Sequence, residues 1–145
     1  MKWPVYLTFP RPPDEIIGGD DDPYMLRWKL IVTPWVRVYL HRFIRSDDDR
    51  ALHDHPASNL SILLSGQYRE IMPGRVALRR PFRPVWRRAE AAHRVELIDG
   101  RRVWSLFLRG PTKREWGFHC PQGWRHWSDF SVPTPGGNKV GRGCG

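Results

Sequence analysis

The sequence has little cysteine, no long hydrophobic run and hardly any helical periodicity. Its 145 residues include two cysteines, Cys120 and Cys144. Cys144 lies in a glycine-rich segment, so we expect no stable pairing between them and a reducing, cytoplasmic setting. The first residues lack the apolar core of a signal peptide, and no apolar run reaches the roughly 18 residues of a membrane span. We therefore expect a protein with no membrane partner.

Most of the chain shows the sequence patterns of short strands and turns rather than those of helices. Fourteen prolines and thirteen glycines are spread along the chain, whereas 40% hydrophobic residues and eight tryptophans indicate a packed core. The pattern predicts an all-β barrel or double-sheet jelly roll of eight to ten short strands. We expect an extended N-terminal arm over 1–23, a single barrel domain over 24–131 and a flexible tail over 132–145.

Acidic residues are scarce, and the imbalance is concentrated in one segment. The net charge is +9, and residues 75–114 contain twelve Lys or Arg against three acids. Such a bias can attract nucleic acid, an anionic substrate or an acidic partner. A solvated arginine-rich face is the simpler interpretation, because no RNA-binding motif with interleaved aromatic residues accompanies the charge.

Two histidines stand one residue apart ahead of an apolar run. Because side chains alternate along a strand, His53, His55 and Asn59 would share one face and Asp54 would lie on the other. Two imidazoles from one strand and a third from a neighbour, His93, would supply a facial ligand set for a divalent metal. The alternative is that the pair caps a turn or lines a metal-free pocket.

Strand parity also ranks the nearby polar residues. Tyr68 is the first candidate for a catalytic acid or hydrogen-bond donor, although it could be a packed core tyrosine. Glu70 has the same phase as Tyr68 and could reach inward. Glu96 lies three residues after His93, on the opposite face, so it is excluded as a ligand.

The remaining histidines and the first cysteine have simpler interpretations. His41 is expected to be a structural histidine on a strand, and His119 and His126 are expected at the surface. Cys120 is expected to be a small buried side chain rather than a reactive thiol.

The segment "HDHPASNLSILLSG" (53–66) followed by "RAEAAHRVEL" (88–97) resembles the two-motif signature of the cupin superfamily. His53 and His55 fill the histidine places of the first motif, Asn59 stands at its glutamate place, and Gly66 follows after six residues. His93 fills the histidine place of the second motif, whose proline, glycine and asparagine are replaced. The chain is also similar to small uncharacterised cupin-like proteins of bacteria and phages with "LHDHP" and "HRVEL" blocks.

This resemblance implies a cupin-type double-stranded β-helix with Fe, Zn, Mn or Ni held by His53, His55 and His93. Asn59 would be a weak ligand or would hydrogen-bond an imidazole, because an amide brings no negative charge to a metal. The activity implied is a small-molecule enzyme with dioxygenase-type oxidoreductase or Lewis-acid chemistry. Arginines such as Arg109 or Arg79 would suit an anionic substrate.

Two further interpretations stay open. The replaced second motif and Asn59 favour a non-enzymatic cupin that binds a ligand or a protein partner. Cupins commonly form homodimers, and the N-terminal arm is suited to exchange with a neighbour. Nucleic-acid binding through residues 75–114 is the third interpretation, and it predicts strong salt dependence.

Overall fold

A computed structural model describes residues 6–46 and 51–145 of the chain. The start of the expected N-terminal arm, residues 1–5, lies outside this part, as do residues 47–50. Within the described residues, no helix is long and apolar enough to cross a membrane.

Short strands account for nearly all the regular structure, which confirms the all-β prediction. One helix is described, α1 (Trp127–Phe130). The strands in chain order are β1 (Glu15–Ile17), β2 (Met25–Val32), β3 (Arg37–Phe43), β4 (Leu52–His53), β5 (Asn59–Ser65), β6 (Tyr68–Met72), β7 (Arg75–Arg79), β8 (Val85–Arg87), β9 (Arg94–Leu97), β10 (Val103–Arg109), β11 (Gly117–Cys120), β12 (Gly123–His126), β13 (Ser131–Pro133) and β14 (Asn138–Val140).

The described strands form one six-stranded sheet, two three-stranded sheets and one two-stranded sheet, β13-β14. The large sheet has the order β1-β2-β3-β10-β5-β8, and the three-stranded sheets have the orders β7-β6-β9 and β12-β11-β4. All the strand pairs are antiparallel. The main core cluster draws on both the large sheet and the β6–β9 pair, and its buried members are Met25, Phe43, Leu63, Tyr68, Val95, Leu97 and Val103.

The two three-stranded sheets meet at a backbone bridge between His53 and His93. The amide of His53 donates to the carbonyl of His93 at 2.9 Å, and the amide of His93 donates to the carbonyl of His53 at 3.0 Å. His53 ends β4, and His93 directly precedes β9. Two candidate ligands are therefore held opposite each other by the backbone itself.

The segment expected to be a flexible tail contains a hairpin. Strands β13 and β14 pair antiparallel, and the amides of Gly141 and Gly143 both donate to the carbonyl of Phe130. The amide of Ile16 in β1 donates to the carbonyl of Gly136 at 2.9 Å, so the hairpin also contacts the N-terminal segment.

The expectation for the cysteines is wrong, because Cys120 and Cys144 form a disulfide. The hairpin returns the end of the chain to β11, which brings the two Cα atoms to 5.5 Å. Gln122 supports this return by donating to the carbonyl of Cys144 at 3.1 Å. Cys120 is therefore neither a free thiol nor an isolated buried side chain. The pairing was not expected because the glycine-rich segment around Cys144 indicated a flexible tail, whereas the structure shows a hairpin there.

Gly66 ends the first histidine motif, and its conformation explains why glycine stands there. Its φ is +83°, and a Cβ would lie 2.7 Å from the carbonyl oxygen of Arg102. We expect Gly66→Ala to lower the free energy of unfolding by about 2–4 kcal/mol, from left-handed strain and the backbone clash together. Urea unfolding would measure the loss.

Gly74 provides the matched control for this substitution. Its φ is +71°, and no heavy atom lies within 4 Å of the Cβ position. Gly74→Ala should therefore show the strain alone, about 1–2 kcal/mol. Equal losses in the two variants would mean that the contact with Arg102 does not explain the glycine.

Candidate metal centre

The three predicted histidines come together inside the barrel. One ring nitrogen from each of His53, His55 and His93 lies within 4.8 Å of the others. The Nε2 atoms of His55 and His93 are 3.3 Å apart. His93 is buried, whereas His53 and His55 are half-buried. His53 and His55 both line the cavity, although β4 ends at His53 and His55 lies in the segment between β4 and β5 rather than on the expected strand. The bridge to His93 supplies the third imidazole.

Glu70 fixes the orientation of His93. The Nδ1 atom of His93 lies 2.5 Å from Oε2 of Glu70, whose side chain is fully buried. With its proton on Nδ1, His93 donates to the carboxylate and presents the Nε2 lone pair to His55. A carboxylate behind an imidazole in this way is a common support for a metal ligand.

Two arginines complete the network behind His93. Arg79 Nε donates to Oε1 of Glu70 at 2.7 Å, and the buried Arg87 donates to Oε2. Burial alone would raise the pKa of Glu70, but the hydrogen bonds from His93 and Arg87 together hold it well below its usual range. Glu70 is therefore an anion that both guanidiniums neutralise.

The imidazoles of His55 and His93 are neutral at neutral pH. Burial lowers the pKa of His93 to about 3, against an opposing effect of the Glu70 hydrogen bond. Burial and then the neighbouring His93 and His53 hold the pKa of His55 well below its usual range. Metal ions bind the neutral form of imidazole, so proton competition at His55 and His93 is weak. The donor set fits a divalent transition metal.

Asn59 is not placed as the sequence analysis expected. It is buried in β5, where its Nδ2 donates to the carbonyl of Ala57 at 3.3 Å and its Oδ1 accepts from Arg87 at 3.4 Å. Arg87 lies directly opposite Asn59 in the β5–β8 ladder and also donates to Ser61 at 2.8 Å. Asn59 thus contacts the arginine that holds Glu70, and no hydrogen bond from Asn59 to an imidazole is found among the described residues.

Tyr68 lies on the same strand face as Glu70, as predicted. Its side chain is 2% exposed and lines the cavity, and Arg87 Nη2 lies 3.5 Å from its hydroxyl. Burial raises the pKa of Tyr68. Glu96 lies on the other face, where it pairs with Arg69 at 3.6 Å and with Arg94 at 3.4 Å.

Asp54, between the two histidines, is a residue whose importance the sequence analysis missed. It is 2% exposed. Its carboxylate accepts from the Gly117 amide at 2.8 Å and from Trp124 Nε1 at 3.0 Å. Arg114 and His119 also lie 3.0 Å from it. These contacts anchor the histidine segment to β11 and β12.

The histidines open onto a cavity of about 370 Å³. The rings of Tyr39, His41 and Phe107 stack along one wall, and the His55 ring centroid lies 6.4 Å from that of Phe107. Burial, with the nearby Arg27, holds the pKa of His41 well below its usual range, and Nε2 of His41 accepts from Arg27 Nε at 2.9 Å. His41 is therefore the structural histidine that was expected, on the cavity wall.

Comparison with solved structures agrees with this architecture. The chain is similar to a cupin superfamily protein from Desulfitobacterium hafniense DCB-2, with 15% identity, a TM-score of 0.52, and coverage of 60% of this chain and 77% of that chain. It is similar to the DMSP lyase DddQ from Ruegeria pomeroyi DSS-3, with 18% identity, a TM-score of 0.56, and coverage of 84% of this chain and 62% of that chain. It is also similar to Fe(II)-HppE, with 15% identity, a TM-score of 0.54, and coverage of 74% of this chain and 63% of that chain.

Comparison at the level of sequence finds nothing. No protein-family model matches the chain, and no curated protein matches it. The identities to the solved structures are so low that these likenesses show the fold alone. Together with the nearly all-strand architecture, they establish that the chain has a cupin-like double-stranded β-helix fold.

Proposed function

We propose that this protein is a metal-dependent cupin-like enzyme that acts on a small molecule, with His53, His55 and His93 as the metal ligands. The observation that carries the proposal is the convergence of three imidazoles, one of them oriented by the buried Glu70. Fe(II)-HppE, a protein of similar fold, holds iron. The proposed metal is a divalent Fe, Zn, Mn or Ni ion.

A divalent ion at this centre would supply Lewis acidity or, if it is iron, oxygen-activating oxidoreductase chemistry of the dioxygenase type. Glu70 keeps the Nδ1 proton on His93, so that the Nε2 lone pair stays directed into the cavity. Tyr68, whose raised pKa keeps its hydroxyl protonated, accepts from Arg87 and can donate its own proton toward a ligand. We propose Tyr68 as the hydrogen-bond donor to substrate.

The composition of the proposed ligand set supports a second candidate function. Three imidazoles include no carboxylate, so the metal would keep its full positive charge. A cupin-like protein with such a centre could bind an anionic ligand without converting it. Turnover of a bound ligand would separate the enzyme from this binding module.

Metal analysis of protein purified without a polyhistidine tag tests the centre. We expect about one transition-metal ion per chain in the wild type and less than about a tenth of that in His53→Ala, because two imidazoles hold a divalent ion far more weakly than three. His126→Ala is the matched control, since His126 bonds Glu115 and Ser128 away from the three histidines.

The outcomes of this experiment are distinct. Full occupancy in wild type and His126→Ala, with loss in His53→Ala, supports the proposal. Wild-type protein that stays metal-free after reconstitution with each of the four ions would overturn it. If the ion is iron, oxygen consumption with small thiols and acids is the screen for the reaction.

A further inference from the structure

We propose that the cavity binds a small organic carboxylate, whose anionic end is held by Arg109 and Arg27 and whose body lies along the aromatic wall toward the histidines. This inference rests on the proposed function, because it names the substrate class of the same site. It also assigns the anion site to Arg109 rather than to Arg79, the other arginine that the sequence suggested.

Arg109 is a cavity-lining guanidinium whose charge is not neutralised. Its Nε donates to the carbonyl of Gly110 at 3.2 Å, and its Nη2 donates to the hydroxyl of Thr112 at 2.5 Å. Both partners are neutral, and among residues 6–46 and 51–145 no carboxylate lies within ion-pair distance of Arg109. Arg79, in contrast, is bound to Glu70, with Nη2 2.6 Å from the carboxylate.

The surroundings of Arg109 add positive charge. Its pKa is lowered by burial and, beyond that, by the charges of Arg37 and Arg27. Arg37 lies directly opposite Arg109 in the β3–β10 ladder. Half-buried guanidiniums that repel one another are stabilised when an anion enters between them, because a carboxylate offers charge-assisted hydrogen bonds.

Arg27 is only partly neutralised. Its Nη1 lies 3.5 Å from Glu15, but the same carboxylate oxygen lies 3.2 Å from Nζ of Lys29. The single carboxylate of Glu15 therefore pairs with both Arg27 and Lys29. Asp54, the other acid that lines the cavity, is already bound by Arg114. The cavity therefore has an excess of positive charge.

The aromatic wall connects these arginines to the histidines. Phe107 precedes Arg109 by two residues on β10 and shares its face, and the Phe107 ring lies 5.1 Å from His41 and 6.4 Å from His55. Arg27 bonds His41 and lies over the ring of Tyr39, with Cζ 4.7 Å from its centroid. A ligand with a carboxylate at one end and an apolar body matches a cavity wall that is cationic at one end and aromatic along its length.

Benzoate and its neutral counterpart benzamide are suitable probes, because they differ in charge and share the aromatic ring. Titration calorimetry on metal-free protein at low salt should show saturable benzoate binding, with benzamide at least about tenfold weaker. Arg109→Gln should weaken benzoate binding about tenfold or more, and Arg109→Lys should fall between. Arg83→Gln, which removes a charge from an exposed site, should bind benzoate as the wild type does.

Metal content, measured on the same variants, separates this inference from the proposed function. Arg109→Gln that is purified with the wild-type metal content and, in its metal-free form, no longer binds benzoate supports the carboxylate site. Equal affinities for benzoate and benzamide, no benzoate binding, or equal effects of Arg109→Gln and Arg83→Gln would overturn it, whatever the metal content. If Arg109→Gln does not fold, Arg109→Lys keeps the charge and decides between the same outcomes, because its altered fork should still weaken benzoate relative to the wild type.

Discussion

Replacement of Glu70 by alanine is expected to lower the free energy of unfolding by about 3–5 kcal/mol. The substitution leaves the Arg87 guanidinium buried without its counter-charge, and removal of one member of a buried ion pair has a cost of this size. The Nδ1 proton of His93 also loses its acceptor. Urea unfolding monitored by tryptophan fluorescence would measure the loss.

The same substitution should weaken metal binding if the proposed centre is correct. Loss of the group behind a ligating imidazole typically lowers metal affinity about 10–100-fold, which competition with a chromophoric chelator would detect. Glu96→Ala is the matched control, because Glu96 pairs with Arg69 on the exposed side of the same β6–β9 ladder. We expect this control to lose no more than about 1 kcal/mol. Similar losses of stability in both variants would contradict the buried-pair argument.

Removal of the disulfide is the second change with a large expected effect. The Cys120→Ser and Cys144→Ser double variant should lose about 3 kcal/mol of the free energy of unfolding. Without the cross-link, the unfolded chain has more conformational entropy, which stabilises the unfolded state. Wild-type protein treated with reductant should lose about as much. Urea unfolding with and without dithiothreitol would compare the two.

The double variant provides the control, because the midpoint of its urea unfolding should be the same with and without dithiothreitol. A wild-type midpoint that is insensitive to reductant would mean that the cross-link contributes nothing to stability. Asn138, Lys139 and Val140 of the C-terminal hairpin line the cavity. We therefore expect the affinity for the benzoate probe to differ between the reduced and the disulfide-bonded protein.

The histidine centre could be predicted because it depends on local geometry. The close spacing of His53 and His55 made the pair a candidate, although β4 ends at His53 and His55 lies outside a strand. Alternation along a strand correctly placed Glu96 away from the site. The same rule gave Glu70 the phase of Tyr68. What it could not give is the partner of Glu70, because Arg87 reaches that carboxylate from β8, a strand in a different sheet.

The errors share one cause, which is contact between segments far apart in sequence. Asn59 contacts Arg87 because β5 pairs with β8, and no local pattern determines that register. Asp54 is buried because its carboxylate accepts hydrogen bonds from Gly117 in β11 and Trp124 in β12, which come much later in the chain. The disulfide depends on the return of the C-terminal hairpin. The homodimer, the limits of the domain and nucleic-acid binding stay predictions.

The backbone bridge between His53 and His93 has a consequence for how such a centre can change during evolution. The spacing of these two ligands depends on a pair of main-chain hydrogen bonds that residues of many types could form. Substitution of the proline, glycine and asparagine of the second motif therefore need not move His93. A lineage can lose most of a recognisable signature in this way while it keeps the positions of its imidazoles.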